Sequence, residues 1–226
     1  MQYFFGKLIQ KALSPYQLRA MRLLSGLSYS FYAIMFIGEK NMNTIFNESI
    51  ILIGGMSIGK STIAQLLNKQ TNMPIISTDA VRCEVLESMS NYSFDKQLLI
   101  RKEKGFKGEM EFLIPYSNIA ITKVLDSIKT PSIIDVGAFF PNQLTDEIIE
   151  KFSKFKRVIL LETNNINNIL KRRNINPNSE IGKIYLQTLD SSLYDSIATQ
   201  KINIDDMSED EIINKIVSNS YDIRTI

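Results

Sequence analysis

A chain of 226 residues, 44% of them hydrophobic, is long enough for one large domain, or for a domain with an appendage, built on its own core. A formal net charge of +2 without a long basic run gives no basis for nucleic-acid binding, and one cysteine, Cys83, excludes an internal disulfide and suits a reducing, ATP-containing cytoplasm. With no histidine, Ser-His-Asp and Cys-His nucleophiles and most zinc sites are excluded, so any general base has to be a carboxylate.

Residues 1–45 differ from the remainder. Lys7, Lys11, Arg19 and Arg22 precede the uncharged stretch Leu23 to Gly38, LLSGLSYSFYAIMFIG, which imitates a signal-peptide core or a short membrane anchor. Export would separate a nucleotide-dependent domain from ATP, and basic residues ahead of an anchor would place that domain outside. The stretch is also short for a span and diluted by Ser25, Ser28 and Ser30. The expectation is a helical N-terminal extension over residues 1–45 and a catalytic domain over 46–226, with a membrane tether and a start at Met42 as alternatives.

Ser49 to Ile53 is a short apolar run suited to a buried parallel strand, and Ser61 to Leu67 opens a helix with Ile63, Leu66 and Leu67 on one face. Between them, Gly54-Gly55-Met56-Ser57-Ile58-Gly59-Lys60-Ser61 fits the phosphate-loop pattern G-x-x-x-x-G-K-[ST] at every fixed position. Strand, glycine loop and helix are the arrangement this motif needs. The glycines let successive N–H groups turn inward on a phosphate at a helix N-terminus. Lys60 would reach the β- and γ-phosphates, Ser61 would ligate Mg²⁺, and Thr62 would add a phosphate hydrogen bond.

Pro74 to Thr78 reads as a second strand ending at Asp79, followed by a helix from Ala80 to about Met89. Ligands of open parallel sheets bind beyond the carboxyl ends of the strands, which puts Asp79 at the site and Arg82 one helical turn on. Asp79 could orient or deprotonate an acceptor hydroxyl while Arg82 grips an acidic substrate; the bland alternative is an N-cap aspartate paired with a surface arginine. Asn91 to Glu111 is polar, with Arg101, Lys102, Lys104 and Lys107 around Gly105 and Gly108, and is either a mobile substrate-binding flap or a solvated helical face. An amphipathic helix runs from about Tyr116 to Lys129.

Pro131 to Gly137 is a third strand that ends on Asp135, in the position of a carboxylate able to hold the Mg²⁺ shell, and on Gly137, which lets the backbone approach a ligand. A helix over Gln143 to Phe155, a strand over Arg157 to Glu162 and a helix over Asn164 to Arg173 follow. Asn174 to Ser179 is a loop with Lys171, Arg172 and Arg173 at its threshold, either a lid that closes on phosphate or a basic helix end that complements the macrodipole. One long helix over Ile181 to Ala198, a strand over Lys201 to Ile204 and a helix over Glu209 to Val217 end the series. Five apolar strands separated by helices make an α/β three-layer sandwich around a parallel sheet.

The stretches IILIGGMSIGKSTIAQLL, ISTDAVR, GFKGE, DVGAF, RVILLET followed by ILKRR, and SSLYDSIATQKINID resemble the shikimate kinase group of small P-loop kinases from about Ser49 to Val217. ISTDAVR also resembles 2-phosphoglycerate kinases. The resemblance implies strand order 2-3-1-4-5, Asp79 on the acceptor hydroxyls, Gly137 and Lys107 at the acceptor, and Arg172 or Arg173 closing on the phosphates. It also implies departures. Lys107 stands for an arginine and loses its bidentate fork, Asp190 reverses a charge, Ser77 replaces an acid, Val136 interrupts a glycine triplet, and Asn176-Pro177 stands for Arg-Pro.

The reading is a cytoplasmic small-molecule kinase. ATP would be bound by residues 54–62 and Arg172, Mg²⁺ by Ser61 and Asp135, and catalysis would rest on Lys60, Asp79 and Arg173. Asp79, Arg82, Lys107 and Gly137 would bind a small hydroxylated, possibly anionic acceptor other than shikimate. The rivals are a catalytically inactive nucleotide-binding regulatory protein and a 2-phosphoglycerate-kinase-like enzyme.

Overall fold

A computed structural model describes residues 47–137, 143–189 and 192–218. The N-terminal extension and Asp190 therefore lie outside the described residues. Strand β1 (Ile50–Gly54) is buried at every residue and is the centre of the sheet. Around it lie β2 (Ile75–Ser77), β3 (Ile133–Asp135), β4 (Val158–Glu162) and β5 (Gln200–Asn203), all parallel, in the order β2-β3-β1-β4-β5. This is the expected order.

Because successive side chains of a strand point to opposite faces, β1 supplies both cores. Ile50 and Leu52 pack with Ile63, Ala64 and Leu67 of α1 (Lys60–Thr71) and with Ile212, Ile213 and Ile216 of the last helix, α8 (Glu209–Ser218). Ile51 and Ile53 pack instead with Ile121, Val124 and Leu125 of α3 (Phe94–Ser127), Ile148 and Phe152 of α4 (Asp146–Ser153), and Tyr194 and Ile197 of α7 (Ser192–Ile197). Helices thus cover both faces, as a parallel sheet with near-continuous apolar strands requires.

A third cluster joins α2 (Thr78–Ser88) to α3 through Val85, Leu86, Leu113, Tyr116 and Ala120, with Tyr92, Phe112 and Tyr116 stacked or edge-on within 6.3 Å of one another. Beneath it Gln97 donates to the buried Glu109 at 2.6 Å, and the Tyr92 hydroxyl donates to Gln97 at 2.7 Å.

The elements differ from the sequence reading in three places. The stretch Asn91 to Glu111 is helical from Phe94, so the solvated helical face is what forms; α3 is interrupted at a kink at Gly105 (φ 69°), where the backbone leaves helical geometry, and its second part runs on through the helix expected at Tyr116. Polar composition alone conceals this, since Gln97 and Glu109 are inward residues bonded to one another, with Arg101 3.0 Å from the other Glu109 oxygen. Asp79 stands in the first turn of α2 and not at a strand end, because Thr78 already has helical geometry. The long helix expected from Ile181 to Ala198 is two helices, α6 (Glu180–Leu189) and α7, preceded by the short α5 (Ile166–Arg172).

The carboxyl ends of β4 and β5 are tied by one side chain. Asp205 accepts from the Thr163 hydroxyl and, at 2.7 Å, from the Asn164 N–H. The Thr163 hydroxyl, ahead of the backbone N–H groups, holds the Asp205 carboxyl below the ordinary carboxylate range. A depressed folded-state value means that stabilisation is present above the unfolded value, near 3.9, and is lost as pH falls through the folded one. Asp205→Asn is therefore expected to melt below the parent at pH 7, with the gap narrowing as melts are taken at pH values falling below the ordinary carboxylate range.

Candidate active site

Strand order reverses about β1, with β3 on one side and β4 on the other, so a crevice opens beyond the carboxyl end of β1. The loop Gly54 to Gly59 fills that position. Its backbone turns left-handed at Gly54 (φ 139°), Ser57 (φ 60°) and Gly59 (φ 108°), and Gly59 then precedes the first turn of α1. Gly54 cannot be larger, since a Cβ there would lie 2.5 Å from the Leu161 carbonyl oxygen of β4. Gly55 is not left-handed; a Cβ there would lie 2.1 Å from Leu189 Cδ2. Ile58 turns inward, 2% exposed, and anchors the loop in the first core.

Lys60 is buried, and its ammonium donates to the carbonyl oxygens of Gly54 and Gly55, each at 2.9 Å. Burial pulls its pKa down, while the charges of Asp135 and Asp79 oppose that pull. Ser61, the next residue, donates its hydroxyl to Asp135 Oδ2 at 2.6 Å. Burial pushes the Asp135 carboxyl up, against the Ser61 hydrogen bond and the Lys60 charge. Asp135 Oδ1 is buried and has no hydrogen-bond partner. A buried carboxylate oxygen left unmatched beside a serine hydroxyl is what a hard divalent cation with oxygen ligands would satisfy, so the residues present fit Mg²⁺.

Asp79 meets this cluster from α2. A Cβ at Gly137 would lie 2.1 Å from Asp79 Oδ1, so glycine is required for the carboxylate to stand against the turn after β3. The Gly137 N–H donates to the buried Thr78 hydroxyl at 2.7 Å, which binds that turn to the start of α2. Arg82 donates to Asp79 Oδ1 at 3.1 Å and to the Ser117 hydroxyl of α3 at 3.3 Å. Both amino groups are engaged, so Arg82 braces Asp79.

The structure thus brings together Lys60, Ser61, Asp135, Asp79, Arg82 and Gly137. Lys107 is elsewhere. It is exposed beside Glu111 (3.8 Å), ten residues and about 15 Å along α3 from Ser117. Arg172 and Arg173 are exposed at the end of α5, at the threshold of the 174–179 loop, and Thr62 is exposed on α1. Thr78 was legible only as the last residue of a strand, whereas Ser57 was expected among the nucleotide-binding residues of the loop. Tyr185 and Leu189 of α6 also reach the loop, from more than 120 residues away, with no local signal.

No protein-family model matches the chain. A curated relative, the shikimate kinase of Leptospira biflexa serovar Patoc, is 24% identical over 173 residues, which are 75% of this chain and 93% of the relative. Among solved structures, a shikimate kinase from Acinetobacter baumannii in complex with shikimate aligns with TM-score 0.54 at 16% identity, over 77% of this chain and 95% of the other. In sequence the chain resembles the shikimate kinases, and it shares their fold. A gluconokinase from Sinorhizobium meliloti 1021 has the same fold, with TM-score 0.50, 13% identity and coverage of 79% and 94%.

The loop also holds one residue with a Cβ in a strained conformation. Ser57 carries a side chain in the left-handed region, which costs roughly 1–2 kcal/mol for a residue with a Cβ. Ser57→Gly is expected to raise the unfolding free energy by up to about 1 kcal/mol in urea melts, the glycine's extra unfolded-state freedom taking back the rest.

Proposed function

We propose that the chain transfers the γ-phosphoryl group of ATP to a hydroxyl of a small polyhydroxylated metabolite. The observation that carries this reading is the setting of Lys60. Its buried ammonium lies in the electrostatic reach of two carboxylates, one beside the Ser61 hydroxyl and one against the turn at Gly137. Charge for phosphate, oxygens for a metal and a carboxylate for an alcohol meet at the end of β1.

The amides of residues 54–62 would hold the β- and γ-phosphates, with Lys60 neutralising charge as it builds on the transferred group. Mg²⁺ held by Ser61 and Asp135 would supply further charge neutralisation across those phosphates. Asp79 would accept the proton of the acceptor hydroxyl, and Arg82 and Thr78 would keep the carboxylate and the Gly137 turn in register. Arg172 and Arg173, at the end of α5, would meet the phosphates from the threshold of the 174–179 loop.

The relatives' names, shikimate kinase and gluconokinase, support a polyhydroxylated acid as the acceptor class. Shikimate itself is disfavoured, because Arg82 is committed to Asp79 and Ser117, and Lys107 stands well along α3 from Ser117.

Incubation of the full chain with ATP, Mg²⁺ and a metabolite extract, read by mass spectrometry, is expected to yield a product heavier by one phosphate. Lys60→Ala should lower its rate by about 10²–10³-fold, and Asp79→Asn by about 10²–10⁴-fold with ADP affinity retained. A nucleotide-dependent rise in melting temperature without any phosphorylated product would overturn transfer in favour of a nucleotide-binding module.

A further inference from the structure

Helix α6 is seated by three glycines, only one of which belongs to its own sequence. A Cβ at Gly55 of the phosphate loop would lie 2.1 Å from Leu189, at the carboxyl end of α6. A Cβ at Gly105, the bend in α3, would lie 2.6 Å from Glu180 Oε1 at the other end, and the same oxygen accepts from the Lys107 N–H at 3.2 Å. A Cβ at Gly182 would lie 2.2 Å from the Asn176 carbonyl oxygen, so the 174–179 loop lies against the helix. The helix is placed by close fit at both ends and along its first turn.

Between those ends is Tyr185. It is partly buried against the first core, and its hydroxyl lies 3.4 Å from the hydroxyl of Ser57, on the phosphate loop itself. Hydroxyl pairs ordinarily settle near 2.7–2.8 Å, so this contact is weak and easily exchanged. A phosphate oxygen offers a charge-assisted bond, roughly twice as strong as one between neutral groups. No motif marks Tyr185, and the fold alone sets it at the loop.

We propose that Tyr185 is a phosphate-binding residue of this kinase, its phenol hydroxyl turning from Ser57 to a nucleotide phosphate oxygen. The proposal rests on the phosphate-loop reading above and adds a ligand from outside the loop. It makes α6 the element that links the acceptor-side helix α3 to nucleotide binding.

The test is calorimetric titration of the full chain, as wild type, Tyr185→Phe and Lys60→Ala, with ADP and separately with inorganic pyrophosphate. Tyr185→Phe is expected to keep the unliganded melting temperature to within about 2 °C and to weaken both ligands about tenfold, the equivalent of one such bond. An ADP affinity within twofold of wild type overturns the proposal, as does a deficit with ADP that pyrophosphate does not share. A variant whose unliganded melting temperature drops markedly assigns Tyr185 to packing and also overturns it. Lys60→Ala separates the two levels: if it binds ADP as wild type does, the phosphate-loop reading fails, whereas its loss of binding with Tyr185→Phe unaffected removes only the tyrosine.

Discussion

A lysine whose charge lies inside the protein has to be matched there, and the matching of Lys60 organises the site. An unpaired buried ammonium is far too costly to persist, so the Gly54 and Gly55 carbonyls turn toward it at 2.9 Å and the loop curls around its own side chain. The curl is possible because β1 ends on a glycine packed against the Leu161 carbonyl and because Gly59 and Ser57 reverse the chain. The remaining charge is balanced at longer range by Asp135 and Asp79, which come from different strands and helices. These are the three groups to which the proposed phosphoryl transfer assigns roles.

Each of those carboxylates is held by a different device. Asp135 ends a buried strand paired with β1, where Leu52 is its register partner, and a serine hydroxyl one residue past Lys60 fixes one of its oxygens. Asp79 is 54% exposed and is held from its flanks, by Arg82 and by the absence of a side chain at Gly137. The buried carboxylate suits a metal and the exposed one suits an incoming alcohol. The brace from Arg82 to Ser117 ties the Asp79 carboxylate to α3, and Glu180 ties α3 to α6, so Asp79 and the loop share one set of contacts.

The sheet and the loop were legible in sequence because both are written locally. Apolar runs of three to five residues separated by helical periods admit few arrangements other than a parallel sheet, and the spacing of Gly54, Gly59, Lys60 and Ser61 marks the loop between β1 and α1. Asp79 and Asp135 were legible because each follows an apolar run. The helical first part of α3 was not singled out, since the inward Gln97 and Glu109 are indistinguishable by composition from exposed residues. Gly55 illustrates another limit: glycine in a phosphate loop reads as freedom for the backbone, yet here it is the space occupied by Leu189. Contacts over such separations, including Tyr185 with Ser57, follow from how helices stack on the sheet and leave no periodic trace.

The central claim is that main-chain amides at the end of β1 enclose the terminal phosphates of a nucleotide. Hydrogen–deuterium exchange of the full chain with and without Mg²⁺ and a non-hydrolysable ATP analogue tests it most directly. The account predicts slowed exchange over residues 55–62, with the first turn of α2 changing less. Unchanged exchange in that loop, with protection appearing elsewhere in the chain, would contradict it.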